Sequence, residues 1–191
     1  MALMITDDDV DEIVYRAAGD GDHRGAAARL EALAERTGEH DDPTNRASLL
    51  VDAGSQYGIA QDWPEAIRCY RAAVADGSPC SPDARAWLHD ALLRAGQTDE
   101  ASTLRATLKA TRSDDPALYE AVAESLEQAD LRTDAHTWFT MGYHRCEAAP
   151  VPEFMLDLLL VGRRRVRHSL GHPADDLDAV AEAYLNSVAV D

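Results

Sequence analysis

Between Ala47 and Pro79 the apolar and small residues recur every three or four positions, in two runs separated by a turn. Leu50, Ala53, Gly54 and Tyr57 make up the first run; Ala66, Ile67, Tyr70 and Ala73 make up the second. This spacing puts each set on one face of a helix, so the stretch predicts two amphipathic helices in a hairpin. Gly54, Ala66 and Ala73 are small enough to let the helices approach, while Leu50, Tyr57, Ile67 and Tyr70 fill the space around the contact. Asp62 followed by Glu65 has the form of a capping box, which would start the second helix.

The pattern returns along the chain at a period of about 34 residues. Asp7 to His40 reads as a degenerate first copy: Ile13, Val14 and Ala17, then a turn at Asp20-Gly21-Asp22, then Ala26, Leu30 and Leu33. Thr37 to Pro43 has turn chemistry throughout and is expected to be a flexible joint. A third copy begins at Pro82 with Ser81 as its N-cap, since proline tolerates the first helical position, where its missing amide hydrogen costs nothing. Its register runs through Leu88, Leu92, Gly96 and Ala101, with His89 and Leu108 replacing small residues. The fourth begins at Pro116 behind Asp115 and includes Tyr119, Val122, Ala123, Leu126, Ala135, Phe139 and Gly142.

Beyond Pro150 the stripe Met155, Leu159, Gly162, Val166 and Leu170 runs past the point where a turn is due, which predicts one longer helix. Gly171-His172-Pro173 ends it, and Ala174 to Val188 reads as a final amphipathic helix with Leu177, Val180, Ala181, Tyr184 and Leu185 on one face. The expected organisation is thus four helix pairs in 1–149 (approximately 7–40, 47–80, 82–115 and 116–149) and a capping pair in 150–191, forming one continuous domain.

Several such copies in register resemble the tetratricopeptide repeat. The resemblance covers roughly residues 7 to 149 and implies an all-α, right-handed solenoid of antiparallel helix pairs that binds other proteins. It also implies which side chains face the concave groove, namely those at fixed positions of the first helix of each pair. Carried onto this chain, those are Asp8, Asp11, Glu12 and Tyr15; Asp52 and Ser55; Asp83, Trp87, Asp90 and Arg94; and Glu120, Glu124, Glu127 and Gln128. A groove so lined is acidic with two aromatic anchors, and would attract an Arg- or Lys-rich segment. The alternatives are that these carboxylates are a solvated acidic face and that Trp87 is core between repeats. The Lys and Asn residues with which some family members clamp a C-terminal carboxylate are missing. Leu158 to Arg167 is also similar to the C-terminal part of certain actinobacterial repeat proteins, some of which carry a cysteine-rich SEC-C zinc motif that is absent here.

Charge narrows the partners. Thirty-five acidic residues against 18 basic ones give a net charge of -17, which disfavours a nucleic-acid binder and favours cationic partners. Lys109 is the only lysine, and with the abundant alanine this suggests a bacterial gene. Arg163, Arg164, Arg165 and Arg167 form the one basic cluster. It reads as a partner or phosphate contact, as an internal plug on the acidic groove, or as the exposed side of the capping helix neutralising Asp175, Asp176 and Asp178. Cys69, Cys80 and Cys146 form no CxxC pair, and the N-terminus lacks a signal-peptide pattern, so a cytoplasmic protein is expected. No apolar run is long enough to span a membrane. His168 with His172, and His144 with Cys146, lack further ligands at metal-binding spacing, and no catalytic or phosphate-loop motif occurs. Neither metal, cofactor nor enzymatic activity is therefore expected. The function this supports is a protein-interaction adaptor. Its alternatives are a self-associating assembly protein and a regulator that contacts nucleic acid or phosphate through the arginines.

Overall fold

The computed structural model describes residues 5–36 and 44–189, so the expected joint at Thr37 to Pro43 lies outside the described residues. Among the described residues ten helices follow one another: α1 (Asp7–Asp20), α2 (His23–Ala34), α3 (Arg46–Ile59), α4 (Trp63–Asp76), α5 (Ala84–Arg94), α6 (Thr98–Thr111), α7 (Pro116–Gln128), α8 (Arg132–Cys146), α9 (Glu153–Ser169) and α10 (Asp176–Val188). The fold is all-α and made of successive helix pairs, the class expected for a tetratricopeptide-like solenoid. The chain divides into two compact units, 1–101 and 102–191, with the division falling in the first turn of α6.

In the first unit each helix packs on the next from α1 to α5. Gly21 closes α1 in the left-handed region at φ 78°, where a residue without a Cβ is unstrained, and the chain turns at once into α2. Leu30, Leu49, Ala53, Ile67 and Leu92 are buried. Gly54 does what its position in the pattern implies: a Cβ there would lie 2.6 Å from Cε1 of Tyr70, so α3 and α4 cross in this register only with glycine. Polar links stitch the layers. His23 Nδ1 lies 2.8 Å from Gln56 Oε1, and Glu31 accepts from Tyr57 Oη at 2.9 Å and from the Arg68 guanidinium at 2.7 Å.

Two expected helix starts need correction. Asp62 precedes α4, but its carboxylate does not cap the helix; it accepts from Arg24 Nε at 3.0 Å. Pro64 has already removed one amide hydrogen from that first turn, so there is less to gain from a cap. The third pair starts at Ala84 with Asp83 as the N-cap, not at Pro82 behind Ser81. The reason is chemical: the Asp83 carboxylate accepts from the Arg85 amide at 2.9 Å, which satisfies a first-turn donor.

In the second unit α7 pairs with α8, and α9 packs against α7, α8 and α10. Asp115 caps α7 by accepting from Ala117 N at 3.0 Å, with Pro116 at the first helical position, as the sequence pattern predicts. Tyr119, Phe139, Leu126, Leu159 and Leu160 form the buried interior. α9 is the expected longer helix, at 17 residues. α10 differs from expectation, because Ala181 is buried and Leu177 and Tyr184 half-buried while Val180 and Leu185 are exposed. At 100° per residue the last two lie on the flanks of the stripe, so only its centre meets α9.

Candidate interaction site

A cleft of about 500 Å³ opens in the first unit between α3 and the turn that leads into α5. Val51 and Asp52 form one wall; Pro79, Cys80 and Pro82 form the other, and Trp87 of α5 completes it. The turn is tied to α3 by the residue that caps it. Asn45 accepts from Ser48 N at 3.0 Å through its side-chain oxygen and donates through Nδ2 to the Pro79 carbonyl at 2.9 Å. Trp87 is both a wall of this cleft and a packing residue, since its ring stacks on Tyr70 with centroids 6.4 Å apart. Tyr70 in turn lies 3.3 Å from Ser55 through its hydroxyl, and Ser55 also donates to the Val51 carbonyl at 3.0 Å.

Asp52 is the unusual group. Among the described residues it has neither a hydrogen-bond donor nor a cation beside it. Burial, then the negative charges of Asp11 and Asp7, push its carboxyl up to about 6. Burial also raises the Cys80 thiol. Asp90, Asp83 and Glu12 are engaged. Asp90 accepts from Arg94 at 2.8 Å, and the Arg94 guanidinium sits 5.5 Å from the Trp63 ring. For Asp83, burial acts against ionisation, but hydrogen bonds from Arg85 prevail and hold it below the ordinary carboxylate range. Glu12 pairs with Arg16. Asp8, Asp11 and Tyr15 project from α1 into solvent, Tyr15 at 82% exposure.

The second unit carries Glu120, Glu124 and Glu127 along α7, and there the chain supplies its own cation. Arg165 of α9 reaches Glu127 with Nε–Oε1 3.0 Å and Nη2–Oε2 2.6 Å, and its Nη2 lies 3.8 Å from Glu124. Glu120 is raised by burial and by Glu124, against the opposing pull of Arg165.

The remaining arginines of the cluster face α10. Arg163 is 5% exposed; it donates to Thr140 at 3.2 Å, to Asp178 at 2.8 Å and to Asp175 at 3.0 Å. Arg167 donates to Asp178 at 3.0 Å and to the Pro173 carbonyl at 2.5 Å. Arg164 lies 3.9 Å from Glu182. Hydrogen bonding from Arg163 holds Asp175 far below the usual carboxylate range. Asp175 and Asp178 are the N-cap and third residue of α10, bonded to each other's backbone amides. Arg163 therefore clamps a helix start rather than presenting a charge to solvent. The sequence signal for this was available in Arg163 and Arg167, one helical turn apart, and in the Asp175–Asp178 capping pair.

Among the described residues no helix is long and apolar enough to cross a membrane. Residues 59–125, from the end of α3 into α7, match a family model described as tetratricopeptide repeat. No curated protein and no solved structure gives a significant match to the chain. With its successive helix pairs and this matched span, the chain is similar to tetratricopeptide-repeat proteins, a family whose repeats mediate contacts between proteins.

Proposed function

We propose that this chain is a protein-interaction adaptor that holds a basic segment of its partner on the acidic face of the first unit. One contrast carries the reading. On α7 the carboxylates Glu124 and Glu127 already face Arg165, whereas on α1 and α3 Asp8, Asp11 and Asp52 have no such cation among the described residues. Unneutralised like charges on one face attract a cationic segment at long range and select against acidic ones. Cys69, Cys80 and Cys146 are all free thiols, which supports a reducing, cytoplasmic setting. Because each arginine from 163 to 167 in the cluster faces a carboxylate, the phosphate-binding alternative loses its support.

A peptide array of fixed length and graded Arg and Lys content tests the proposal. Capture should track basic content, weaken with salt, and fall in a variant carrying Asp8→Asn, Asp11→Asn and Asp52→Asn. Capture indifferent to basic content would sink it. Self-association is a second reading, favoured by the exposure of Val180, Leu185 and Val188 on α10. It predicts a mass that rises with concentration and stays monomeric in Val180→Ser with Val188→Ser.

A further inference from the structure

We propose that the cleft between α3 and the 79–82 turn is a socket for a single arginine side chain of the partner, with the guanidinium at Asp52 and the methylene stem against Pro79, Pro82 and Trp87. This inference rests on the acidic-face reading and goes further, by naming one side chain and one place for it. The first support is Asp52 itself. A half-buried carboxylate with no donor is costly to the folded chain, and a bound cation with N–H groups would supply what the protein withholds. The second is the wall opposite it. Val51, Pro79 and Pro82 offer apolar surface for a stem, and an indole ring attracts a cation. The cleft volume of about 500 Å³ suits one long side chain and the backbone that carries it.

The third support is how this chain treats the same chemistry elsewhere. Glu127 is met by Arg165 in a two-point contact, and Asp175 with Asp178 are met by Arg163. In each case a planar guanidinium bridges two acceptor atoms, a geometry that an ammonium does not reproduce. Among the described residues no basic side chain lines the cleft, and Arg46 and Arg85 are directed to other carboxylates, Glu35 with Asp76 and Asp83 respectively. The socket therefore has acceptors and apolar walls without an internal occupant among the described residues.

The test uses the full chain, labelled for amide and indole NMR signals and titrated with N-acetyl-arginine amide and, separately, with its neutral isostere N-acetyl-citrulline amide. The arginine probe should shift the Trp87 indole and the amides of Asp52 and Cys80, and the citrulline probe should not. Asp52→Asn should weaken the arginine response about tenfold or more, since it removes the charge that the guanidinium meets. Asp130→Asn, an exposed change in the other unit, should leave the response intact. Equal shifts from citrulline, or an unchanged response in Asp52→Asn, would overturn the socket. If arginine-rich peptides bind on the array while these cleft signals stay still, the socket is wrong and the acidic face stands. If neither probe nor peptides bind, both fall. Denaturation of Asp52→Asn confirms that any loss comes from a folded protein.

Discussion

Replacing Asp52 with Asn keeps the shape of the side chain and removes its charge, and the structure predicts that the protein becomes more stable. In the folded chain this carboxyl titrates at about 6, because burial and the charges of Asp11 and Asp7 oppose ionisation; its ordinary value is 3.8. The folded state thus holds the proton more tightly than the unfolded state, so ionisation destabilises the fold. At about 1.36 kcal/mol per pH unit of difference, the full cost is about 3 kcal/mol. Solvent reaches part of the side chain, which brings the expected gain in the variant to about 1–3 kcal/mol at pH 7.5. The sign fixes the pH course. Below 3.8 both states of the wild type are protonated and the two proteins should match; the gap should open between there and pH 6, then level off. Urea denaturation of both proteins at pH 3.5, 5 and 7.5 measures it. A variant that is less stable than wild type at pH 7.5, or a gap that does not change with pH, would refute the picture of an unpaired carboxylate in the cleft wall.

Arg163→Ala should cost about 2–4 kcal/mol, because it takes from the buried Asp178 one of its two arginines, leaving it to Arg167, and leaves Asp175 without its main donor; hydrogen exchange should show α10 opening first. In the wild type, Asp175 titrates below its ordinary 3.8, so its contribution is complete above that pH and is lost as the pH falls further; α10 protection should decline there. Gly54→Ala should destabilise by about 1–3 kcal/mol in denaturation, since the added Cβ meets Tyr70 at 2.6 Å, outweighing any gain in helix propensity. The thiols of Cys69 and Cys146, pushed up to about 12 and about 11 chiefly by burial, should stay unreactive toward a disulfide reagent at pH 8, with Cys80 reacting slowly and all three reacting after unfolding.

Much of the fold was legible because it rests on near neighbours. Small and apolar residues three and four apart define a helix face, and Asp115-Pro116, Gly21 and the long stripe from Met155 marked boundaries that the structure reproduces. Gly54 was readable for the same reason, since two packed faces predict where a side chain must be missing. Boundaries were misread where a polar residue had a competing partner. Asp62 looks like a cap in one dimension, but Arg24, 38 positions earlier, claims its carboxylate.

The candidate site divides along the same line. The family resemblance singled out its carboxylates and Trp87 on the first helix of each pair, but register cannot say which of them are neutralised. Arg165 reaches Glu127 across 38 residues, Arg163 is buried against the start of α10, and Asp52 is left without either kind of partner among the described residues. By itself the sequence determined helix pairs, their period and an acidic composition, because periodicity and charge are properties of local sequence. Only the tertiary structure decided which charges meet and which stand alone, because ion pairing and desolvation depend on distances through space that the spacing along the chain does not contain.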